Sequence, residues 1–233
     1  MADCVLRAVI GEVDTRRANI ARVYDYWLGG DHNFLADQDV ARAITAVEPN
    51  AAAFARANRE FLGRAVRFLA AAGIRQFLDI GSGIPANGNV HQIAQSADPQ
   101  ARVVYVDVDP VAVAHSRALL AGNDNAEVVA ADLREPEVIL ADAHTRRLVD
   151  PAQPTGLLLV AVLHFLADAE NPWQKVATLR EALAPGSYLV IGQRHRRGQP
   201  HDREVVREGV QPRGLHRRER PVARRDPALL RRL

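Results

Sequence analysis

The sequence predicts a doubly wound α/β sandwich with a mostly parallel sheet, and three observations carry the prediction. Short apolar runs recur through the middle of the chain as "RQFLDI", "ARVVYVDVD", "AEVVAAD", "GLLLVAVLHF" and "GSYLVIG". The stretches between them, including 111–120 and 173–183, are long enough for crossover helices. The first run leads into a glycine-spaced turn, "DIGSGIP", and then into a segment with helical spacing. Near-continuous apolar strands alternating with helices are what a parallel sheet covered on both faces requires.

Taken in order, the chain begins with an extension over residues 1–17 and a helical segment over 18–72. Ile20, Val23, Tyr24, Trp27 and Leu28 fall at helical spacing, and Gly29-Gly30 is the stop. Phe54, Ala57, Phe61, Leu62, Ala65, Phe68 and Leu69 form a second apolar stripe, with Arg56, Arg59, Arg64 and Arg67 off it and Gly73 past its end. The strand and helix alternation follows over 73–191. At 233 residues and 48% hydrophobic composition the chain can bury one good core.

Composition excludes several classes. The apolar run 156–163 is far short of the roughly 20 residues that span a bilayer. No signal-peptide pattern is read near the start, and a cytoplasmic location is the default expectation. Cys4 is the only cysteine, so an internal disulfide and a cysteine-based zinc cluster are ruled out. The net charge of +2 conceals an asymmetry: residues 192–233 hold 13 Arg against five acids, so the rest is acidic, with 17 Lys or Arg against 23 Asp or Glu. The basic balance belongs to the tail and does not describe the partner of the main domain.

In a doubly wound sheet the ligand crevice lies outside the carboxyl ends of the strands, and the first strand-to-helix turn is the usual contact. Gly81 and Gly83 occupy that turn, where glycine admits dihedrals closed to other residues and lets a ligand approach the backbone. A lone G-x-G also serves merely to turn a chain. Asp79, at the strand end, can accept from a ligand ammonium or from the turn's own amides. Asp107 ends the second strand, about 20 to 30 residues beyond the glycines, where an acid that binds ribose hydroxyls belongs. The competing role is a helix cap before Pro110, for which Asp109 is the better candidate. Asp132 follows the third strand and can receive an adenine amino group with Leu133 beside the ring, or simply sit in a surface turn. Three successive strand ends carrying acids weigh more than any one. A dinucleotide needs a phosphate site at a helix amino end and a third glycine, whereas Ile84-Pro85-Ala86 follows Gly83 here. S-adenosylmethionine has no phosphate and carries an ammonium and a sulfonium, so the acidic series suits it better.

The segments "RVYDYWLGGDHNF", "NREFLGRAVRFL", "GIRQFLDIGSGIP", "NVHQIAQ", "ARVVYVDVDPVAVAHSRALL", "LLLVAVLHFLAD" and "LREALAPGSYLVI", within residues 18–191, resemble an actinobacterial family of S-adenosylmethionine-dependent methyltransferases once classed as a domain of unknown function. The resemblance implies a Rossmann-like class I methyltransferase. It places the methionine end at Asp79, Gly81, Ser82 and Gly83, the ribose at Asp107 with Val108 and Asp109 adjacent, and the adenine at Asp132 and Leu133. Pro85 departs from the many methyltransferases that have another glycine there. His164, at the end of the fourth strand, is the candidate base, with an ordinary half-buried hydrogen-bonding role as the alternative. Tyr24, Tyr26, Asp31 and Asn33 in "YDYWLGGDHNF" read as a lid over the cofactor, and Arg59 as a partner for the methionine carboxylate. Trp27 reads as core packing. The expected acceptor is a small molecule, and the first alternative is a non-catalytic regulator that binds the same cofactor.

From residue 192 the composition changes abruptly to arginine-rich sequence without aromatics. A nucleic-acid arm is disfavoured because nothing there stacks on bases. Read one base later with G/C-rich codons, "GQRHRR" becomes Ala-Ser-Gly-Thr-Ala, which resembles the family's continuation. The expectation is a single-base frameshift near residues 191–193, a disordered tail over 192–233, and a C-terminal hairpin that is missing or scrambled, leaving the fifth strand an open edge. Resequencing the gene is expected to reveal the displaced base; a verified read encoding the arginines in frame would refute it.

Overall fold

A computed structural model describes residues 14–86, 88–193 and 205–208. Five parallel strands form its sheet: β1 (Gln76–Ile80), β2 (Arg102–Asp107), β3 (Ala126–Ala130), β4 (Gly156–Val160) and β5 (Tyr188–Gly192). A sixth, β6 (Val205–Glu208), pairs antiparallel to β5, and the spatial order is β3-β2-β1-β4-β5-β6. The order reverses between β1 and β4, which opens a crevice at the carboxyl ends of those two strands. In register, Asp79 stands beside Tyr105 on one side and Leu158 on the other.

Both faces of the sheet are covered, which explains the unbroken apolar runs. Successive side chains on a strand point to opposite faces. Phe77, Val103, Leu158 and Val190 therefore join one core with Phe61, Leu62, Val66 and Leu69 of helix α3 (Ala51–Ala71). Leu78, Ile80, Val104, Leu157 and Leu159 join a second core with Ile139, Leu148 and Leu179 from the other side. Those three residues come from α6 (Pro136–Ala141), α7 (Ala143–Leu148) and α8 (Pro172–Glu181). Each fully buried leucine or phenylalanine contributes about 1.5–3 kcal/mol.

The remaining helices are α1 (Ile20–Leu28), α2 (Leu35–Val47), α4 (Val90–Ala97) and α5 (Pro110–Leu120). The Asn19 side chain accepts from the Ala21 amide at the start of α1, and Gly29 ends that helix in the left-handed region at φ 81°. Gly73 turns the chain at φ 94° just beyond α3, as the sequence predicted. Asp109 caps α5 by accepting from the Val111 and Ala112 amides, with Pro110 at its first position. After β4 the chain runs through two 3₁₀ turns, Leu163–Phe165 and Asp168–Glu170, before α8.

One expectation is corrected. β5 is not an open edge, because residues 205–208 pair along it from Ile191↔Val205 to Tyr188↔Glu208. The "VVRE" run has strand propensity at its valines, and the unpaired backbone groups of β5 offer it a ladder. Gly192 belongs to β5 and residues 205–208 to β6, so the expected disorder does not hold there; over 194–204 and 209–233 that expectation, and those for residues 1–13, lie outside the described residues.

Candidate functional site

The glycine turn after β1 is shaped by two close approaches. Gly81 has φ +69°, and a Cβ there would stand 2.4 Å from Cγ2 of Val162, which follows β4. Its amide and that of Ser82 both donate to the Val106 carbonyl, at 2.8 and 3.1 Å, so the turn is stitched to β2. Gly83 has φ +68° with no atom within 4 Å of its own Cβ position, so here the backbone lies bare to open space. The Gly83 amide donates to Asp107 Oδ2 at 2.7 Å, while Asp107 Oδ1 accepts from the Asp109 amide at 2.9 Å. The carboxylate at the tip of β2 is thus clamped against the glycine turn.

A cavity of about 280 Å³ lies between these strand tips and the N-terminal helices. Of the predicted site residues, Asp79, Gly81, Ser82, Gly83, Asp107 and Val108 line it, as do Asp132, Leu133, Tyr24 and Arg59. Burial pushes the Asp79 carboxyl up to about 7, with Arg59 opposing that shift and Asp107 adding to it. Burial likewise raises Asp107, against the pull of the Asp109 and Gly83 amides. Asp132 accepts from the Arg134 amide at 2.8 Å and pairs with its guanidinium at 3.1 Å. The Tyr24 hydroxyl donates to the Ala55 carbonyl at 2.9 Å, and burial raises its pKa, so it forms wall rather than a ready base.

Five predicted residues do not line the cavity. Asn33 braces the loop after α1, donating to Asp25 Oδ2 and the Gly30 carbonyl and accepting from Gln38. Asp109 is spent on the α5 cap. His164 sits exposed on the first 3₁₀ turn, its ring 4.1 Å from Phe165. Three residues per turn bring Phe165 and Leu166, rather than His164, to the cavity wall. Of the other lid residues, Asp31 is exposed and pairs with His32, and neither it nor Tyr26 reaches the cavity. Trp27 packs within the helical segment, its indole donating to Thr45 at 3.2 Å.

Sequence reasoning passed over Asn58 and Asp25, both buried and both on the cavity wall. Asn58 interrupts the apolar face of α3 between Phe54 and Leu62, and a lone amide in such a stripe was the available signal. Among the described residues, Ser82 Oγ and, away from the cavity, Thr145 Oγ1 are buried polar atoms without a hydrogen-bond partner, while the Asn58 side chain lies beside the Tyr24 hydroxyl. An unpaired buried polar group costs about 1–3 kcal/mol, and Ser82 Oγ, on the cavity wall, is free to pair with a ligand group. The wall therefore offers carboxylates, one guanidinium beside Asp79, the unpaired Ser82 hydroxyl, the Asn58 amide and a bare backbone. That donor set fits a cationic amino-acid ligand with ribose and base attached, and the carboxylates repel phosphate.

The sequence model of the S-adenosyl methyltransferase family matches residues 8–226. The chain belongs to that family. The methyltransferase uses S-adenosylmethionine, and the family decides between that cofactor and the dinucleotide weighed from the sequence. It is 47% identical to a Thermobifida fusca YX protein assigned as a methyltransferase, whose crystal structure matches with a TM-score of 0.77 over 80% of this chain and 70% of that one. A protein of unknown-function family 574 from Streptomyces avermitilis MA-4680 is 42% identical, with a TM-score of 0.73 over 76% and 69% of the two chains. Comparison of the methyltransferase with curated proteins found no match. No helix among its described residues is long and apolar enough to cross a membrane.

Proposed function

We propose that the methyltransferase holds its cofactor along three consecutive strand tips and methylates a small molecule that enters beside α1. The observation that carries this reading is the buried Asp107 carboxylate, pinned by the Gly83 and Asp109 amides next to the bare turn. Asp79 takes the ammonium and Arg59 the carboxylate of the methionine end, with Asn58 and Ser82 supplying further polar contacts. Asp107 receives the ribose hydroxyls, and Val108, Asp132 and Leu133 frame the adenine. When bound, S-adenosylmethionine supplies a methyl group already activated by its sulfonium. The chain's own task is then to orient the acceptor and exclude water. Leu28, Val162, Phe165 and Leu166 form an apolar wall suited to that task. A concave, mostly apolar cleft of this size suits a small acceptor.

Calorimetric titration with S-adenosylhomocysteine tests the reading. Its ammonium is held by an ionised Asp79, whose pKa without ligand is about 7. Binding should release a proton, and affinity should rise as pH climbs through 7, by about tenfold between pH 6 and pH 8. Stability of the free protein moves the other way: a carboxyl raised by folding stabilises most below its unfolded value near 3.8, and that contribution is lost as pH rises toward 7. Absence of binding would refute the site, and binding indifferent to pH would remove Asp79 from it.

A further inference from the structure

Arg22 is 3% exposed on α1 and sits between carboxylates from distant parts of the chain. Its Nε approaches Asp37 at 3.1 Å, its Nη2 donates to the Arg17 carbonyl at 2.6 Å, and its guanidinium lies 5.4 Å above the Phe34 ring. Asp37, wholly buried, also accepts from the amides of Asn19 and Phe34, each at 2.8 Å, which ties the starts of α1 and α2 to one carboxylate. On the other side, Arg22 Nη1 lies 4.0 Å from Asp109 Oδ2. Asp109 uses its first oxygen to cap α5 and its amide to hold Asp107 Oδ1, and Asp107 Oδ2 receives Gly83. A connected path thus runs from Asp37 through Arg22, Asp109 and Asp107 to the glycine turn.

We propose that Arg22 is a positioning residue, fastening the N-terminal helices to the tip of β2 and thereby setting the orientation of Asp107. Burying a cation and two carboxylates costs several kcal/mol per ion before pairing, and an apolar cluster of the same volume would hold two helices together as well. What the ionic cluster adds is direction. With Arg22 on one oxygen of Asp109, the other stays on the helix cap and the backbone stays aligned with Asp107. The stacked rings of His32 and His115, 3.7 Å apart, join the loop after α1 to α5 at a separate point.

The inference rests on Asp107 contacting the cofactor, and its test separates the two ideas. S-adenosylhomocysteine affinity and thermal unfolding are measured on the full chain for Arg22→Met, Asp107→Asn and the double variant. Arg22→Met is expected to weaken binding about tenfold in the wild-type background and to have little effect once Asp107 is Asn. A purely structural role lowers the melting temperature but leaves the two affinity effects additive, and that outcome overturns the proposal, as does an affinity within twofold of wild type. If Arg22→Met does not fold, Arg22→Met/Asp37→Asn removes opposite charges together and carries the same comparison with and without Asp107→Asn. If Asp107→Asn alone leaves affinity unchanged, the ribose assignment fails and the inference falls with it.

Discussion

Asp107→Ala is expected to weaken S-adenosylhomocysteine binding by about a hundredfold, close to 2.7 kcal/mol. The substitution removes the carboxylate proposed for the ribose and strips two amides, those of Gly83 and Asp109, of their acceptor. Hydrogen bonds to a charged group are worth about 1.5–3 kcal/mol each, so the turn would lose its shape as well as its ligand contact. The melting temperature should fall less than those losses imply, because burial already disfavours the charged Asp107 and its removal relieves that penalty. Calorimetry and thermal unfolding on the same preparation separate the two effects. An alanine variant that binds as tightly as wild type would place the cofactor elsewhere.

The second large effect concerns Gly81. Alanine there must hold φ +69° and drive its Cβ to 2.4 Å from Val162. The backbone strain costs about 1–2 kcal/mol, and overpacking at the junction with the segment after β4 adds about 1–3 kcal/mol. Gly81→Ala should therefore lose roughly 3 kcal/mol of stability and most of its S-adenosylhomocysteine affinity. Gly83→Ala is the internal control: it shares the positive φ but meets no atom within 4 Å, so only the strain remains. Adding Val162→Ala to Gly81→Ala should recover the packing share and not the strain. Equal denaturant midpoints for the two single glycine variants would contradict the close approach of Val162.

Most of the cavity lining was legible because it is local. Asp79, Gly81, Gly83, Asp107 and Asp132 each sit within three residues of the end of an apolar run, and a parallel sheet brings such ends together whatever the loops do. The helix signals read equally well, down to Asp109 as the better cap and Gly29 as the stop of α1. The lid residues read less well. Tyr24 reaches the cavity whereas Asn33, nine positions later, turns back on Asp25, because the path of an irregular loop depends on which carboxylate collects its amides. His164 stands on a tight 3₁₀ turn where Phe165 and Leu166 line the cavity instead, since such a turn changes which side chain points inward with every step.

By itself, the sequence determined the alternation of strand and helix, the glycine turn, the acids at three strand tips and hence the choice of a phosphate-free cofactor, all of which follow from periodicity and residue chemistry over short spans. The tertiary structure alone decided that Val162 forbids a side chain at Gly81, that the Ser82 hydroxyl is left without a partner, that residues 205–208 pair along β5, and that Arg22 stands between Asp37 and Asp109. These are contacts between segments far apart in the chain, and their energies depend on distances that no local pattern encodes.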